Sequence, residues 1–113
     1  MTGVEVNRKR VLLTGGTGLV GRTLSPRLSA RWQVTHFDTA DPADGLSFVE
    51  GDLRDAAAVA AACRGMDAVI HVAALHGAAW VQAGDDAGFA VNVVGTKNTL
   101  EGAVAAGVRR VVF

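Results

Sequence analysis

Glycines follow a short apolar run near the start of this 113-residue sequence, at intervals typical of a phosphate-binding turn. Residues 14–21 read Thr-Gly-Gly-Thr-Gly-Leu-Val-Gly, between the apolar run Val11–Leu13 and an amphipathic stretch. A strand that turns straight into a helix directs backbone N–H groups and the positive end of the helix dipole at one point, which suits a pyrophosphate. We expect Gly15 to permit the tight turn, Gly18 to let the backbone approach the phosphates, and Gly21 to let the helix pack closely.

Two glycine templates fit the same residues. G-x-G-x-x-G starts at Gly16 and T-G-x-x-G-x-x-G starts at Thr14, and they differ in how the turn is entered. Because the chain contains 14 glycines, such spacing also arises by chance, so a turn that only packs a helix on a sheet is an alternative. The apolar run before the turn and the amphipathic stretch after it favour binding.

An acidic residue after the next predicted strand extends the prediction to a dinucleotide. Asp38 lies 20 residues beyond Gly18, where a carboxylate can accept hydrogen bonds from both hydroxyls of an adenosine ribose. This residue favours NAD over NADP, since it repels a 2′-phosphate and Arg22 is the nearby cation that could offset the repulsion. The alternative is that Asp38 only caps the following turn.

Residues after the third and fourth predicted strands complete the candidate site. We place Asp52 and Leu53 beside the adenine, with the carboxylate on the exocyclic amine and the leucine as an apolar wall. Gly51-Asp52 is also an ordinary turn sequence, which is the alternative. Ala73 and Ala74 are small enough for the backbone to run alongside a cofactor.

Other polar residues receive structural interpretations. We predict that His71 is a hydrogen-bonded core residue, and that His76 is a loop residue with a second interpretation as a substrate contact. Asn92 is predicted to hold a water or a backbone carbonyl. Cys63 is predicted to pack in the core, and a single cysteine excludes an internal disulfide and fits a reducing compartment.

Hydrophobic periodicity predicts strands that alternate with helices. Strands are expected at residues 10–13, 33–38, 46–50, 68–73 and 108–113, and helices after the glycine turn, over 55–63 and from 85 to 105. Near-continuous apolar strands imply a parallel sheet covered on both faces. We therefore predict one α/β domain over residues 1–113, a Rossmann-type doubly wound parallel sheet with strand order 3-2-1-4-5, truncated after the fifth strand.

Two helices show apolar faces in the sequence. The first face contains Val20, Leu24, Leu28 and Trp32, and Pro26 is expected to kink that helix or to make it restart near residue 25. The second helix opens at residues 85–86, and its face contains Phe89, Val93, Leu100 and Val104.

Composition excludes several classes of partner. Eleven basic residues balance eleven acidic ones, so the net charge favours neither nucleic acid nor an anionic membrane. We find no apolar run long enough for a membrane span and no signal-peptide pattern at the N-terminus. A cytoplasmic protein is expected.

With these motifs assembled, the chain resembles the extended short-chain dehydrogenase/reductase family, in its NAD-dependent epimerase/dehydratase group. The matching motifs are the glycine turn at 14–21, the ribose acid Asp38, the adenine pair Asp52-Leu53, D-x-V-x-H-x-A-A at 67–74 and an N-x-x-G-T-x-N-x-L-E helix from Asn92. The cofactor implied is NAD, with NADP less favoured. The residues predicted to bind it are Thr14, Gly15, Thr17, Gly18, Leu19, Val20, Gly21, Asp38, Asp52, Leu53, Ala73 and Ala74.

The resemblance also implies catalytic residues that this sequence does not contain. The family places a Ser or Thr after strand five, then Tyr-x-x-x-Lys, then a smaller substrate domain. The sequence has no tyrosine, and its lysines are Lys9 and Lys97. We assign no catalytic and no metal-binding residue, and we expect cofactor binding with negligible hydride transfer.

The expected function is that of the NAD-binding front part of an epimerase/dehydratase-like oxidoreductase or isomerase, acting on a nucleoside-diphosphate sugar or a similar small substrate. The alternatives are a non-catalytic module that senses redox state, and an interaction protein in which the glycine turn only packs. An exposed apolar edge at residues 111–113 is expected to pair with a second copy or with a complementing chain.

Overall fold

Five parallel strands form one sheet in the order β3-β2-β1-β4-β5 in the computed structural model, which describes residues 8–113. The strands are β1 (Arg10–Thr14), β2 (Gln33–Asp38), β3 (Ser47–Glu50), β4 (Ala68–His71) and β5 (Arg110–Val112). The helices are α1 (Leu19–Ser29), α2 (Ala56–Cys63), α3 (Gly77–Ala83), α4 (Asp85–Phe89) and α5 (Gly95–Ala105), with a π-helical segment, Ala90–Val94, between α4 and α5. The predicted Rossmann-type fold and strand order are confirmed.

Each face of the sheet carries its own apolar core. Leu12 and Leu13 are neighbours in β1 and point to opposite faces, because side chains alternate along a strand. The core on the side of α2 and α5 contains Leu12, Phe37, Leu53, Val59, Ala62, Cys63, Met66, Val69 and Ala103. The core on the side of α1 contains Leu13, Leu28 and Val34. Cys63 is fully buried, which confirms its predicted place in the core.

Helix α1 and the residues after it bury most of the predicted face, since Leu28 is in the core and Leu24 and Trp32 are half-buried against it. The buried residues of α1 are Gly21, Ser25 and Leu28, whereas Val20 is 55% exposed. The two small residues on this face, Gly21 and Ser25, let the helix backbone approach the sheet closely.

Pro26 does not interrupt α1, so the predicted restart is wrong. Proline has no N–H to donate to the carbonyl of Arg22 one turn earlier. Pro26 and Arg22 are both exposed, and water can hydrate a carbonyl on that side of the helix.

The predicted apolar face of the last helix is exposed in the structure. Phe89, Val93, Leu100 and Val104 are 59%, 50%, 36% and 80% exposed. The buried residues of α5 are instead Gly95, Asn98, Thr99, Gly102 and Ala103. A Cβ on Gly102 would lie 3.2 Å from the Cα of Ala60, so small residues set the close packing of α5 on α2.

Several element boundaries differ from the prediction. β4 ends at His71, two residues earlier than predicted, and beyond it the N–H groups of Val72 and Ala73 donate to the carbonyl and the hydroxyl of Thr14, both at 3.3 Å. β5 is shorter at both ends, and α3 was not predicted. Among the described residues no helix has the length and apolar character that crossing a bilayer requires.

Candidate cofactor-binding site

A cleft of about 530 Å³ lies where β1, β2, β3 and β4 end, on the carboxyl side of the sheet. Its lining includes eleven of the twelve residues predicted to bind a dinucleotide: Gly15, Thr17, Gly18, Leu19, Val20, Gly21, Asp38, Asp52, Leu53, Ala73 and Ala74. Its volume is within the range of small-molecule and cofactor sites, and its position is the topological switch point of the sheet. The fold therefore brings together residues as far apart in the sequence as Gly15 and Ala74.

The entrance to the glycine turn follows the template that starts at Thr14. Gly15 has φ +85°, and a Cβ there would lie 2.6 Å from the backbone nitrogen of Ala73. Gly16 serves a different purpose, since its Cβ would lie 2.2 Å from Nδ1 of His36. A side chain at Gly15 would collide with the backbone that follows β4, and one at Gly16 would collide with the His36 side chain of β2.

The turn leaves the start of α1 open to the cleft. Gly18 is the N-cap residue, and within residues 8–113 no side chain caps the helix. A Cβ on Gly18 would meet only the carbonyl oxygen of Gly15, at 3.4 Å. The first-turn amides of Leu19 and Val20 therefore lie at a helix N-terminus to which an anion has access. Gly21, by contrast, packs against Gly15, since its Cβ would lie 2.1 Å from that carbonyl oxygen.

Thr14 lies under the cleft rather than in its lining, and it starts a buried hydrogen-bonded chain. Its Oγ1 is 2.7 Å from Nδ1 of His71, whose Nε2 is 2.9 Å from Oγ1 of Thr96. The Thr96 hydroxyl donates to the carbonyl oxygen of Asn92 at 2.6 Å. Because that carbonyl only accepts, Thr96 must accept from Nε2–H, and Nδ1 must accept from Thr14.

These hydrogen bonds keep His71 neutral, with the proton on Nε2. Burial lowers the pKa of His71 below its ordinary value of 6.5. A second proton on the ring would also leave the hydroxyl hydrogen of Thr14 without its acceptor. The prediction that His71 is a hydrogen-bonded core residue is confirmed.

Asn92 clamps the segment that follows β4. Its Oδ1 accepts from the N–H of Leu75 and its Nδ2 donates to the carbonyl of Leu75, both at 2.7 Å. The predicted contact with a backbone carbonyl is therefore confirmed. Since Leu75 lines the cleft, the π-helical segment that carries Asn92 shapes the site.

Asp38 joins the glycine turn to the end of β2. Its Oδ2 accepts from the N–H and the hydroxyl of Thr17, at 3.2 and 3.0 Å. Its Oδ1 accepts from the N–H of Thr39 at 2.7 Å and from that of Ala40 at 3.4 Å. The turn-capping interpretation thus describes a contact that is present, while the same carboxylate also faces the cleft.

Leu53 forms a fixed apolar wall of the cleft. It is 8% exposed, and its carbonyl accepts from Nδ2 of Asn98 at 2.9 Å. A Cβ on Gly95 would lie 2.9 Å from the Cβ of Leu53, so α5 supports this wall directly. Next to it, the carboxylate of Asp52 is paired with the guanidinium of Arg54, which also lines the cleft.

Comparison with known proteins identifies the family. The model of the NAD dependent epimerase/dehydratase family matches residues 11–113. The chain belongs to this family. Among curated relatives, the 3 beta-hydroxysteroid dehydrogenase/Delta 5-->4-isomerase of Mycobacterium tuberculosis is 42% identical over 114 residues, which is 92% of this chain and 30% of the relative.

Two solved structures share the fold of this epimerase/dehydratase family member. A short-chain dehydrogenase/reductase superfamily protein of Agrobacterium tumefaciens with bound NAD has a TM-score of 0.80 and 40% identity, over 92% of this chain and 31% of that one. The UDP-glucose 4-epimerase of Thermus thermophilus in complex with NAD has a TM-score of 0.80 and 33% identity, over 92% and 36%. The chain spans between 12% and 39% of the length of the curated relatives compared with it, and 30% of the Mycobacterium tuberculosis enzyme.

Some lining residues of this family member were missed by the sequence analysis. They are Phe37, Thr39, Gly51, Arg54, Val72, Leu75, Ala83, Ala87 and Val91. An Asp-x-Arg pair after a strand was a usable signal for Arg54, because such a pair can close on itself across a turn. No local pattern marks Leu75 or Val91 as cleft residues. Leu75 is held at the cleft by its hydrogen bonds with Asn92, and Val91 lies in the π-helical segment that carries Asn92. His76 lines the cleft and is exposed, and its contact with substrate stays a prediction.

Proposed function

We propose that this chain binds NAD in the cleft as the nucleotide-binding part of a dehydrogenase or epimerase. The pyrophosphate lies on the turn at residues 14–21 and the α1 N-terminus, the adenosine ribose on Asp38, and the adenine between Asp52 and Leu53. Ala73 and Ala74 border the rest of the dinucleotide. The observation that carries the proposal is the single cleft that joins an uncapped helix N-terminus, a carboxylate and an apolar wall.

The proposed preference for NAD over NADP rests on Asp38. Its carboxylate is partly buried and lines the cleft, where a 2′-phosphate would bring like charge beside it. The ribose hydroxyls must share Oδ2 with Thr17 or replace the Thr17 hydroxyl there. Both are compatible with an ionised carboxylate, which accepts but does not donate.

Calorimetric titration with NAD and NADP tests this proposal. NAD is expected to bind at least about tenfold more tightly than NADP, a difference of about 1.4 kcal/mol. Asp38→Asn should weaken NAD and reduce that ratio. Asp41→Asn is the matched control. It removes the same charge only three residues further along the chain, and Asp41 does not line the cleft. Absence of heat with both nucleotides contradicts the proposal, and an unchanged ratio in Asp38→Asn contradicts the role of Asp38.

We further propose that the whole reaction uses a nucleoside-diphosphate sugar or a similar small hydroxylated substrate, and that these 113 residues alone do not transfer hydride. The names of the relatives, a hydroxysteroid dehydrogenase and a UDP-glucose epimerase, support a secondary alcohol as the reacting group. The lack of any tyrosine supports the absence of turnover, since the family's proton-transfer residue has no counterpart in this sequence. Reduction of NAD by the isolated chain with such an alcohol, followed by absorbance, would contradict the second statement.

A redox-sensing module is the second candidate, and the lined cleft supports it as well as it supports the first. A sensor must bind NAD and NADH with different affinities, whereas a nucleotide-binding part alone has no such need. Titration with both forms separates the two candidates. Equal affinities would contradict the sensor.

We also propose that the edge of β5 pairs with a second copy or with a complementing chain. β5 is the last strand in the sheet order, and Val112 and Phe113 are 51% and 79% exposed. An unpaired strand edge with exposed apolar side chains favours association.

A further inference from the structure

Arg54 forms an ion pair and several hydrogen bonds with the carboxylate of Asp52 at the rim of the cleft. Nη2 of Arg54 donates to Oδ2 at 2.6 Å, and Nε donates to Oδ1 at 3.0 Å and to Oδ2 at 3.1 Å. The backbone N–H of Arg54 also donates to Oδ1, at 2.9 Å. This fork-to-fork geometry fixes the plane of the carboxylate as well as its position.

The contacts leave little acceptor capacity on Asp52. Oδ1 receives two donors from Arg54, while Oδ2 receives Nη2 and the longer, shared contact with Nε. A carboxylate oxygen accepts about two hydrogen bonds. Oδ2 therefore offers one remaining position, and Asp52 lines the cleft beside the Leu53 wall.

Arg54 also maintains the charge of this carboxylate. Hydrogen bonds from the Arg54 side chain and then from its backbone N–H hold the pKa of Asp52 below its ordinary value of 3.8. An ionised carboxylate cannot donate a hydrogen bond, so its free position accepts from an amino group and repels a carbonyl oxygen.

We propose that Arg54 is a positioning residue that makes the adenine end of the cleft select an amino-purine over an oxo-purine, by orienting Asp52 as an acceptor-only group. This inference rests on the proposed NAD site and adds to it a residue that discriminates between bases. Arg54 touches the base only through Asp52, so its removal loosens the carboxylate and lets it rotate or take up water. Selectivity then falls more than affinity does.

The test compares the affinities of NAD and of nicotinamide hypoxanthine dinucleotide, which carries an oxo group in place of the adenine amino group. The wild-type chain is expected to bind NAD about ten- to a hundredfold more tightly, as for loss of a charge-assisted hydrogen bond that leaves like partial charges facing each other. Arg54→Gln should reduce this ratio to a few fold while NAD still binds. Lys97→Gln is the matched control, because it also removes an exposed cation from an ion pair, on α5 and away from the cleft lining.

Asp52→Asn provides an independent readout. Arg54 would bind the amide oxygen and turn the amide NH₂ toward the cleft, so the preference should vanish or reverse in favour of the oxo-purine. The double variant that combines Arg54→Gln with Asp52→Asn should still show no preference for the amino-purine.

The outcomes separate this inference from the proposed function. If Arg54→Gln weakens both dinucleotides equally and leaves their ratio unchanged, Arg54 only shapes the turn and the inference is wrong, although NAD binding stands. If wild type binds NAD without preferring it to the oxo analogue, the inference is also wrong. If the wild-type chain binds neither dinucleotide, the proposed function fails as well.

Discussion

Gly18 and Gly21 stand three residues apart in one turn, yet a side chain would meet different surroundings at each. Gly18→Ser places its side chain in the cleft, while serine is a favoured N-cap residue, so the free energy of unfolding should stay within about 0.5 kcal/mol or rise. NAD affinity should fall at least about tenfold, because the serine occupies the space and the amides that the pyrophosphate needs. Calorimetry and urea denaturation of the same sample measure both quantities.

Gly21→Ala is the matched comparison. Its Cβ would lie 2.1 Å from the carbonyl oxygen of Gly15, so the helix must shift, and we expect the free energy of unfolding to fall by about 1–3 kcal/mol. A Gly18→Ser chain that loses as much stability as Gly21→Ala would show that Gly18 serves packing rather than ligand approach.

His71, in the buried series of hydrogen bonds under the cleft, makes the free energy of unfolding depend on pH. Its pKa is lowered in the folded state, so the unfolded chain takes up the proton first as the pH falls below 6.5. The stabilisation from neutral His71 is complete well above that value, and it is lost progressively as the pH falls below 6.5, by at most about 1.4 kcal/mol per pH unit. Urea denaturation across this range should show the slope.

Variants of two histidines assign that slope. His71→Gln should lower stability at every pH but reduce the slope, since the replacement does not titrate. His76→Gln, at an exposed position, should leave it in place. An equal slope in wild type and His71→Gln would mean that His71 does not hold a lowered pKa.

The individual residues that sequence reasoning identified are those whose chemistry is local. Gly15 and Gly18 were assigned roles because the conformation that a tight turn requires can be predicted from a few adjacent residues. The structure has a positive φ at Gly15, as the turn requires, and open space at Gly18, where the role in phosphate approach stays a prediction. Arg54 was missed because its importance comes from a contact with Asp52 across a turn.

The π-helical segment between α4 and α5 acts on the cleft through a single side chain. Asn92→Ala removes both hydrogen bonds to Leu75 and leaves its backbone groups unpaired, which should cost about 1–3 kcal/mol of unfolding free energy. Hydrogen exchange should accelerate in residues 72–76, the segment that Asn92 clamps. Gln82→Ala, at an exposed position of α3, should change neither quantity, and unchanged exchange in Asn92→Ala would contradict the clamp.

Helices also show where periodicity misleads. In α5 the large apolar side chains Leu100 and Val104 were expected to be buried, but Gly102 lies on the packed face. In α1 only Val20 departs from the prediction in this way. Small residues allow backbones to approach closely, and the gain in close contacts decides the face. The hydrophobic periodicity of one helix does not predict how closely it packs against another helix that is distant in the sequence.

Association of whole molecules tests the proposed pairing through β5. Val112→Lys places a charge on the exposed edge, so self-association in sedimentation velocity should decrease, with the free energy of unfolding changed by less than about 1 kcal/mol. Val104→Lys is the matched control, since Val104 is 80% exposed on α5. If only Val104→Lys dissociates the chains, the outer face of α5 forms the contact and the strand edge does not.

Sequence order and residue chemistry were enough to establish the parallel sheet, its strand order and the general position of the cleft. These follow from backbone rules: apolar strands need two covering layers, crossovers are right-handed, and ligands meet the sheet where its order reverses. Only the tertiary structure showed three sets of hydrogen bonds: those that link Thr14 to His71, those of Asn92 with Leu75, and those of Arg54 with Asp52. Each depends on distances of about 3 Å between groups on different elements or across a turn, and such distances exist only once the backbones have packed.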